Sequence, residues 1–340
     1  IRGPFVGHWA RVTALAFSHD GKKLISGSED TAIRIWDVET GNVVAGPLEG
    51  HTDTIHSLAL SSSGTEFISG SDDGSVRLWS IFLDEINIAP PGPGVTGIIL
   101  NVAWSPNGIK IASRQYYGAV DVWDAENGEA VIEPFDHSLG YVSSIAFSPD
   151  CARISAGTDD GRVISRDLRT GEMIGKPYQA HSNAVLVLMY SPDGSMIASG
   201  SEDNSLIIWD CLTGEMDGTP SGHGIKTTSV AFTPDGNRLV SGGYDTLIHI
   251  WHVQTASESI LGPIEGHEGS VYSVACSPVQ PLCVSGSEDG TIRVWSMISG
   301  ETTTGPVDAR SGTAVTSVAY TRDGTKIISG FADGTICILD

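Results

Sequence analysis

The sequence predicts an all-β array of like sheets, and three observations carry the prediction. Trp36, Trp79, Trp123, Arg166, Trp209, Trp251, Trp295 and Leu339 hold equivalent places 42 to 44 residues apart, and a period of about that length belongs to propellers and solenoids. Each unit holds short apolar runs parted by turns rich in Asp, Gly and Asn, residues that tolerate the backbone angles of tight hairpins. No stretch sustains an apolar period near 3.6, so helix has little or no place. Eight such units fill the 340 residues. They predict one domain over 1–340, an eight-bladed β-propeller of four-stranded antiparallel blades; a seven-bladed ring with an extra unit is the alternative.

The unit is plainest from His181 to Asp210. Its first strand, LVLMYS, ends at the turn Pro192-Asp193-Gly194; its second, MIASGS, ends at Glu202-Asp203-Asn204; LIIW is the third. A fourth, poorer in apolar residues as an outer edge requires, falls in the link from Thr213 to Gly222. Sheets of this kind are apolar on both faces and must be stacked on both sides.

Residues 1–7 (IRGPFVG) repeat the ends of later links, AGPLEG before His51 and LGPIEG before His267. They form a link strand with no unit ahead of it, whereas the eighth unit, about Thr313 to Asp340, stops after its third strand. The two ends are complementary. The opening segment is therefore expected to complete the last blade, close the ring and cover an otherwise open edge.

Gly7-His8 with Asp30 and Trp36-Asp37, and His181 with Asp203 and Trp209-Asp210, resemble the WD-repeat family of β-propellers. So do Gly50-His51, Gly222-His223 and Gly266-His267, with Asp73, Asp245 and Asp289 and with Trp79, Trp251 and Trp295. The resemblance covers the whole chain and implies a network in each unit that joins the His, the Asp, a second-strand Ser and the Trp. The serines are Ser26, Ser69, Ser199, Ser241 and Ser285, with Ser113 and Ser329 in units that depart from the pattern.

Physical chemistry asks for the same partners. A buried imidazole, carboxylate, hydroxyl or indole N–H left unpaired costs roughly 1–3 kcal/mol. Ser, His and Asp also make a hydrolase triad, but such a triad needs one activated nucleophile beside an oxyanion site in a cleft. This trio recurs in five units. Repetition points to architecture and against an enzyme.

Three units depart. In the third, Val95 or a neighbour takes the His place and Tyr117 the Asp place, after the interruption Pro90-Pro91-Gly92-Pro93-Gly94. The fourth keeps His137 and Asp160 but has Ala156 and Arg166 for Ser and Trp; the eighth keeps Ser329 and Asp333 and has Leu339 for Trp. Drift in a redundant array explains this simply; the sharper reading is a third-to-fourth joint altered to bind or move. A buried guanidinium needs a partner, so Arg166 is expected on Asp160 or Asp167.

Net charge is −22, from 41 acidic against 19 basic residues. Such a field repels phosphate backbones and attracts basic proteins or peptides, although acidity also serves solubility. No nucleic-acid partner is expected. The longest apolar runs, about seven residues, fall far short of the ~20 that span a bilayer, so no membrane association is expected either. The odd number of cysteines, Cys151, Cys211, Cys276, Cys283 and Cys337, and the lack of an Asn-x-Ser/Thr site suit a reducing, cytoplasmic setting. Cys276 and Cys283 sit where one hairpin would oppose them. No phosphate-cradling loop or zinc spacing appears, so no cofactor or metal is expected.

The residue just before each turn Asp should stand on one rim of the ring: Glu29, Asp72, Tyr116, Asp159, Glu202, Tyr244, Glu288 and Ala332. Five of these eight are acidic. The loops leading into the units add Trp9, Arg11, Asp53, Tyr141, Asn183 and Lys226. Carboxylates and aromatic rings suit Lys- or Arg-bearing segments through charge-assisted and cation–π contacts, and aromatic and Arg anchors are enriched in hot spots. Trp9, Arg11, Glu29, Asp72, Tyr116, Tyr141, Asp159, Glu202, Tyr244 and Glu288 are thus the candidate partner-binding residues of a monomeric, non-catalytic protein-interaction scaffold. The regular units and the joints GPLEGH and GPIEGH resemble the C-terminal repeat arrays of fungal NACHT-type, NOD-like receptors, which implies a recognition or sensor module of a larger signalling protein. An adaptor subunit, or a propeller binding sugars or small ligands, is the alternative.

Overall fold

The computed structural model describes residues 2–81, 97–135, 140–211, 213, 223–255, 257–258, 261–308, 312–333 and 335–339. Among them the chain is all-β apart from one 3-10 turn, Val253–Thr255. The strands form eight antiparallel sheets of three or four strands.

The first sheet shows why the sequence folds this way. Val12–Phe17, Lys23–Ser28, Ile33–Asp37 and Val43–Leu48 follow one another as neighbours, so each connection is a hairpin. Burial is graded across the sheet: the second and third strands are almost wholly buried, the first is half-buried, and the fourth is mostly exposed. The hairpin turns are sealed by side chains. Ser18 donates to Asp20 at 2.6 Å, while Lys22 N–H donates to the same carboxylate, an Asx turn repeated at Ser191 and Asp193. All of the Thr213–Gly222 fourth strand but its first residue, the Pro90–Gly94 run, Val95 and His137 lie outside the described residues.

Each sheet packs on the next in chain order. The apolar core is accordingly divided into eight clusters, each drawing on two successive sheets. One of them joins the eighth sheet to the first: Ile328, Ile336 and Ile338 pack with Phe5, Val12, Leu24 and Trp36. The strand Arg2–Phe5 pairs antiparallel with Ile336–Leu339, Arg2 opposite Ile338 and Phe5 opposite Ile336.

Close approach between sheets depends on glycine at one recurring place. A Cβ on Gly27 would sit 2.7 Å from Ile55 Cγ2 of the next sheet, and one on Gly200 would sit 2.7 Å from Thr227 Cγ2. The third sheet has Arg114 there; its Nη1 donates to the Val142 carbonyl across the joint at 3.4 Å. The third-to-fourth joint is thus wedged by a side chain where the other joints are closed by a hydrogen atom.

Candidate functional site

Five units build the four-residue network. In the first, Trp36 Nε1 donates to Ser26 Oγ at 2.8 Å, His8 Nε2 lies 2.7 Å from that oxygen, and His8 Nδ1 lies 2.8 Å from Asp30. The second repeats it with Trp79, Ser69, His51 and Asp73, and the seventh with Trp295, Ser285, His267 and Asp289. In the sixth, Trp251 donates to Ser241, and His223 stands 2.9 Å from Ser241 and 2.7 Å from Asp245. In the fifth, Trp209 donates to Ser199 and His181 contacts it, but Ser205 Oγ comes closer to His181 Nδ1 (2.6 Å) than Asp203 does (3.3 Å).

One assignment of protons satisfies the first, second, sixth and seventh units: indole N–H donates to serine, serine O–H to Nε2, and Nδ1–H to the carboxylate, a neutral imidazole beside an ionised Asp. Burial pushes His51, His181 and His267 below the ordinary imidazole value, their aspartates notwithstanding. Burial alone would raise Asp73; bonds from Ser75, the Thr52 N–H and His51 outweigh it and hold the carboxyl at about 2. Asp203 and Asp289 are held at about 2 in the same way. The hydroxyl that a hydrolase would use is shut in: Ser69 has 0% exposure. The trio clamps the segment arriving from one sheet to the middle strands of the next.

In the departing units the polar groups are rearranged. Ser155, one residue before Ala156, bonds Ser165 and the Tyr190 hydroxyl, each at 2.6 Å. Arg166 Nη1 donates to the Glu133 carbonyl at 2.8 Å, and the guanidinium lies 4.5 Å from the centre of the Phe135 ring. Asp160 carries Arg162 at 2.5 Å, and Asp167 caps the turn at Arg169 and Thr170. In the third unit Gln115 Nε2 donates to buried Asp121 at 2.7 Å, and burial pushes that carboxyl up. Cys276 and Cys283 stand directly opposite each other as free thiols.

The turn and loop residues fall on the network side of the sheets. Trp9 is 79% exposed, and Arg11, Glu29, Tyr116, Tyr141, Asp159, Tyr244, Glu288 and Ala332 are also exposed. Asp72 and Glu202 are half-buried and matched: His56 Nε2 lies 2.7 Å from Asp72, and Lys226 Nζ lies 2.5 Å from Glu202. Asp159 accepts the Tyr141 N–H at 2.9 Å, and Glu288 accepts from Ser270 at 2.8 Å. This set of residues is therefore less uniformly exposed and negative than its sequence, with Lys226 seated on Glu202 and the His56 ring on Asp72.

Two aromatic groupings emerge on it. Tyr116 and Tyr117 meet edge to face at 5.4 Å. Tyr244 meets Tyr272 at 6.2 Å, and burial followed by the nearby Glu288 charge raises the Tyr272 hydroxyl. His56 and Tyr272 were missed by reading turns alone. Both occupy the second place of a first strand, the place of Thr13, Ser143 and Thr228, and aligning that column exposes them.

The sequence profile of the family described as "WD domain, G-beta repeat" matches residues 2–37, 42–80, 130–165, 172–210, 214–252, 258–296 and 304–340. The third unit, with Tyr117 at its Asp place, is passed over. A search of the curated proteins finds no match. Among solved structures, the crystal structure of the computationally designed Ika8 protein is similar at 27% identity over 98% of each chain, with a TM-score of 0.85.

Proposed function

The chain belongs to the WD-domain, G-beta repeat family, and on that premise we propose that it is a non-catalytic platform that holds a basic protein or peptide on the rim carrying Trp9, Glu29, Asp159 and Glu288. Repeat propellers of this family generally serve as protein-interaction scaffolds. In this reading residues 1–340 form one domain and all eight sheets are blades, with Arg2–Phe5 as the outer strand of the last, so that eight equivalent turns share one circle. The shared apolar cluster of the first and eighth sheets and the pairing of Arg2 with Ile338 support it.

One observation carries the partner class. Tyr244 and Tyr272 present aromatic surface beside the Glu288 carboxylate, which suits a Lys or Arg side chain by cation–π and charge-assisted contact together. The net charge of −22 adds long-range attraction for such a partner and disfavours nucleic acid. Among the described residues no helix is long and apolar enough to cross a membrane. A monomer in the cytoplasm, acting as the recognition module of a larger signalling protein of the fungal NACHT type, fits the regular units and the GPLEGH and GPIEGH joints.

The test is a screen of Lys- and Arg-bearing peptides against the wild type and against a variant with Glu29, Asp72, Asp159, Glu202 and Glu288 each changed to Lys. Peptides that bind the wild type should lose the variant, and Trp9→Ala should weaken them without changing the melting temperature. Equal binding to the reversed rim refutes the site.

A further inference from the structure

The sixth sheet differs from the others at one position that matters to a cation. Two residues before the network tryptophan, the first, second and seventh sheets carry Arg34, Arg77 and Arg293, and the fifth carries Ile207. The sixth carries His249, a buried imidazole stacked on Trp251 at 5.2 Å and set edge-on against His223 at 4.4 Å. Its Nε2 lies 3.8 Å from Asp245 Oδ2, while His223 Nδ1 lies 2.7 and 2.9 Å from the two Asp245 oxygens. The three ligand atoms all fall within 4.8 Å of one another.

We infer that His223, Asp245 and His249 form a binding site for one divalent transition-metal ion, with Zn2+ the best fit. Two imidazoles and a carboxylate are a donor set that Zn2+ accepts, with bonds of about 2.0–2.2 Å and a fourth, open position for water. Ligand atoms of a tetrahedral site with such bonds are about 3.3–3.5 Å apart. The His223–Asp245 and His249–Asp245 separations bracket that value, and the two imidazole nitrogens lie within 4.8 Å of each other, so the site forms by side-chain shifts of up to about an ångström.

The surroundings suit the ion. Asp245 is held in place by the Gly224 and Leu247 N–H groups, at 3.0 and 3.2 Å. Ser241 Oγ, 2.9 Å from His223 Nε2, accepts a proton as readily as it donates one. With metal on Nδ1 the imidazole proton moves to Nε2 and donates to Ser241, the outer-shell bond that orients a metal-bound histidine. The Asp245 side chain is 10% exposed, which gives the ion and its water a way in. In the second and seventh sheets the same His–Asp pair feels the charge of Arg77 or Arg293 instead, which repels a cation.

The experiment uses the full chain, stripped of metal with a chelator, then titrated with Zn2+ by calorimetry and with Co2+ by visible absorption. One equivalent should bind, Co2+ should give tetrahedral d–d bands, and Zn2+ should raise the melting temperature. His249→Arg and His249→Ile install residues that other sheets carry at this place. Either should keep the fold and lose at least about a hundredfold in Zn2+ affinity. His56→Ala, at the half-exposed His56–Asp72 pair, should bind as the wild type does. No stoichiometric binding by the wild type, equal binding by both His249 variants, or loss of binding in His56→Ala overturns the site.

Discussion

Trp79 donates its indole N–H to the Ser69 hydroxyl at 2.7 Å, and that hydroxyl also lies 2.6 Å from His51 Nε2. One oxygen thus serves two buried rings. Ser69→Ala strands both and should cost about 1–3 kcal/mol in denaturant unfolding. The contrasting case is the eighth sheet, where Leu339 stands at the indole place and Ser329 donates to the Cys337 carbonyl at 3.4 Å. Ser329→Ala should cost clearly less. Equal losses would show that the hydroxyl matters through packing rather than as the hub of the network.

Acid should weaken the fold in two stages. His51, His181 and His267 have folded pKa values pushed below the unfolded value of about 6.5. Below that pH the unfolded chain binds more protons than the folded one, so stability drops as the pH is lowered there. Asp73, Asp203 and Asp289, held at about 2, add stability that is complete above the unfolded value of about 3.9 and drains away toward pH 2. Melting temperatures from pH 8 to pH 3 should therefore fall first below about 6.5 and again below about 4. A flat profile from pH 8 down to pH 5 would contradict the neutral-imidazole network.

Arg166 takes the place of a network tryptophan and holds the loop at Glu133, Pro134 and Phe135. Removing a charged donor from backbone carbonyls and from an aromatic face should cost on the order of 1–2 kcal/mol in Arg166→Ala. Asp167→Ala removes only the cap of the following turn, so it should leave Phe135 as protected from hydrogen exchange as in the wild type. Arg166→Ala should deprotect it.

Much of the fold was legible because it repeats. The spacing of Trp36, Trp79, Trp209, Trp251 and Trp295 marked the sheets, and the network residues could be named because each is fixed by its distance from that marker. What escaped was set by contacts between strands and between sheets rather than by the repeat. Arg166 reaches the Glu133 carbonyl of the preceding link. Lys226 meets Glu202, and His56 meets Asp72, only after folding brings a first strand beside a turn. The second imidazole beside His223 was hidden for a like reason: His249 reads as one more polar residue on an alternating strand until its ring is seen against Asp245.

The platform stands on one relationship, the seating of Arg2–Phe5 on the strand Ile336–Leu339 with Phe5 stacked on Trp36 at 5.9 Å. Thermal unfolding of the chain lacking residues 1–7 tests it most directly. Loss of a buried Phe alone costs about 3–5 kcal/mol, so the melting temperature should drop by at least about 4–7 °C, or the protein should aggregate through its uncovered edge. A melting curve that overlays that of the intact chain would contradict the ring, and with it the circle of turns on which the partner is placed.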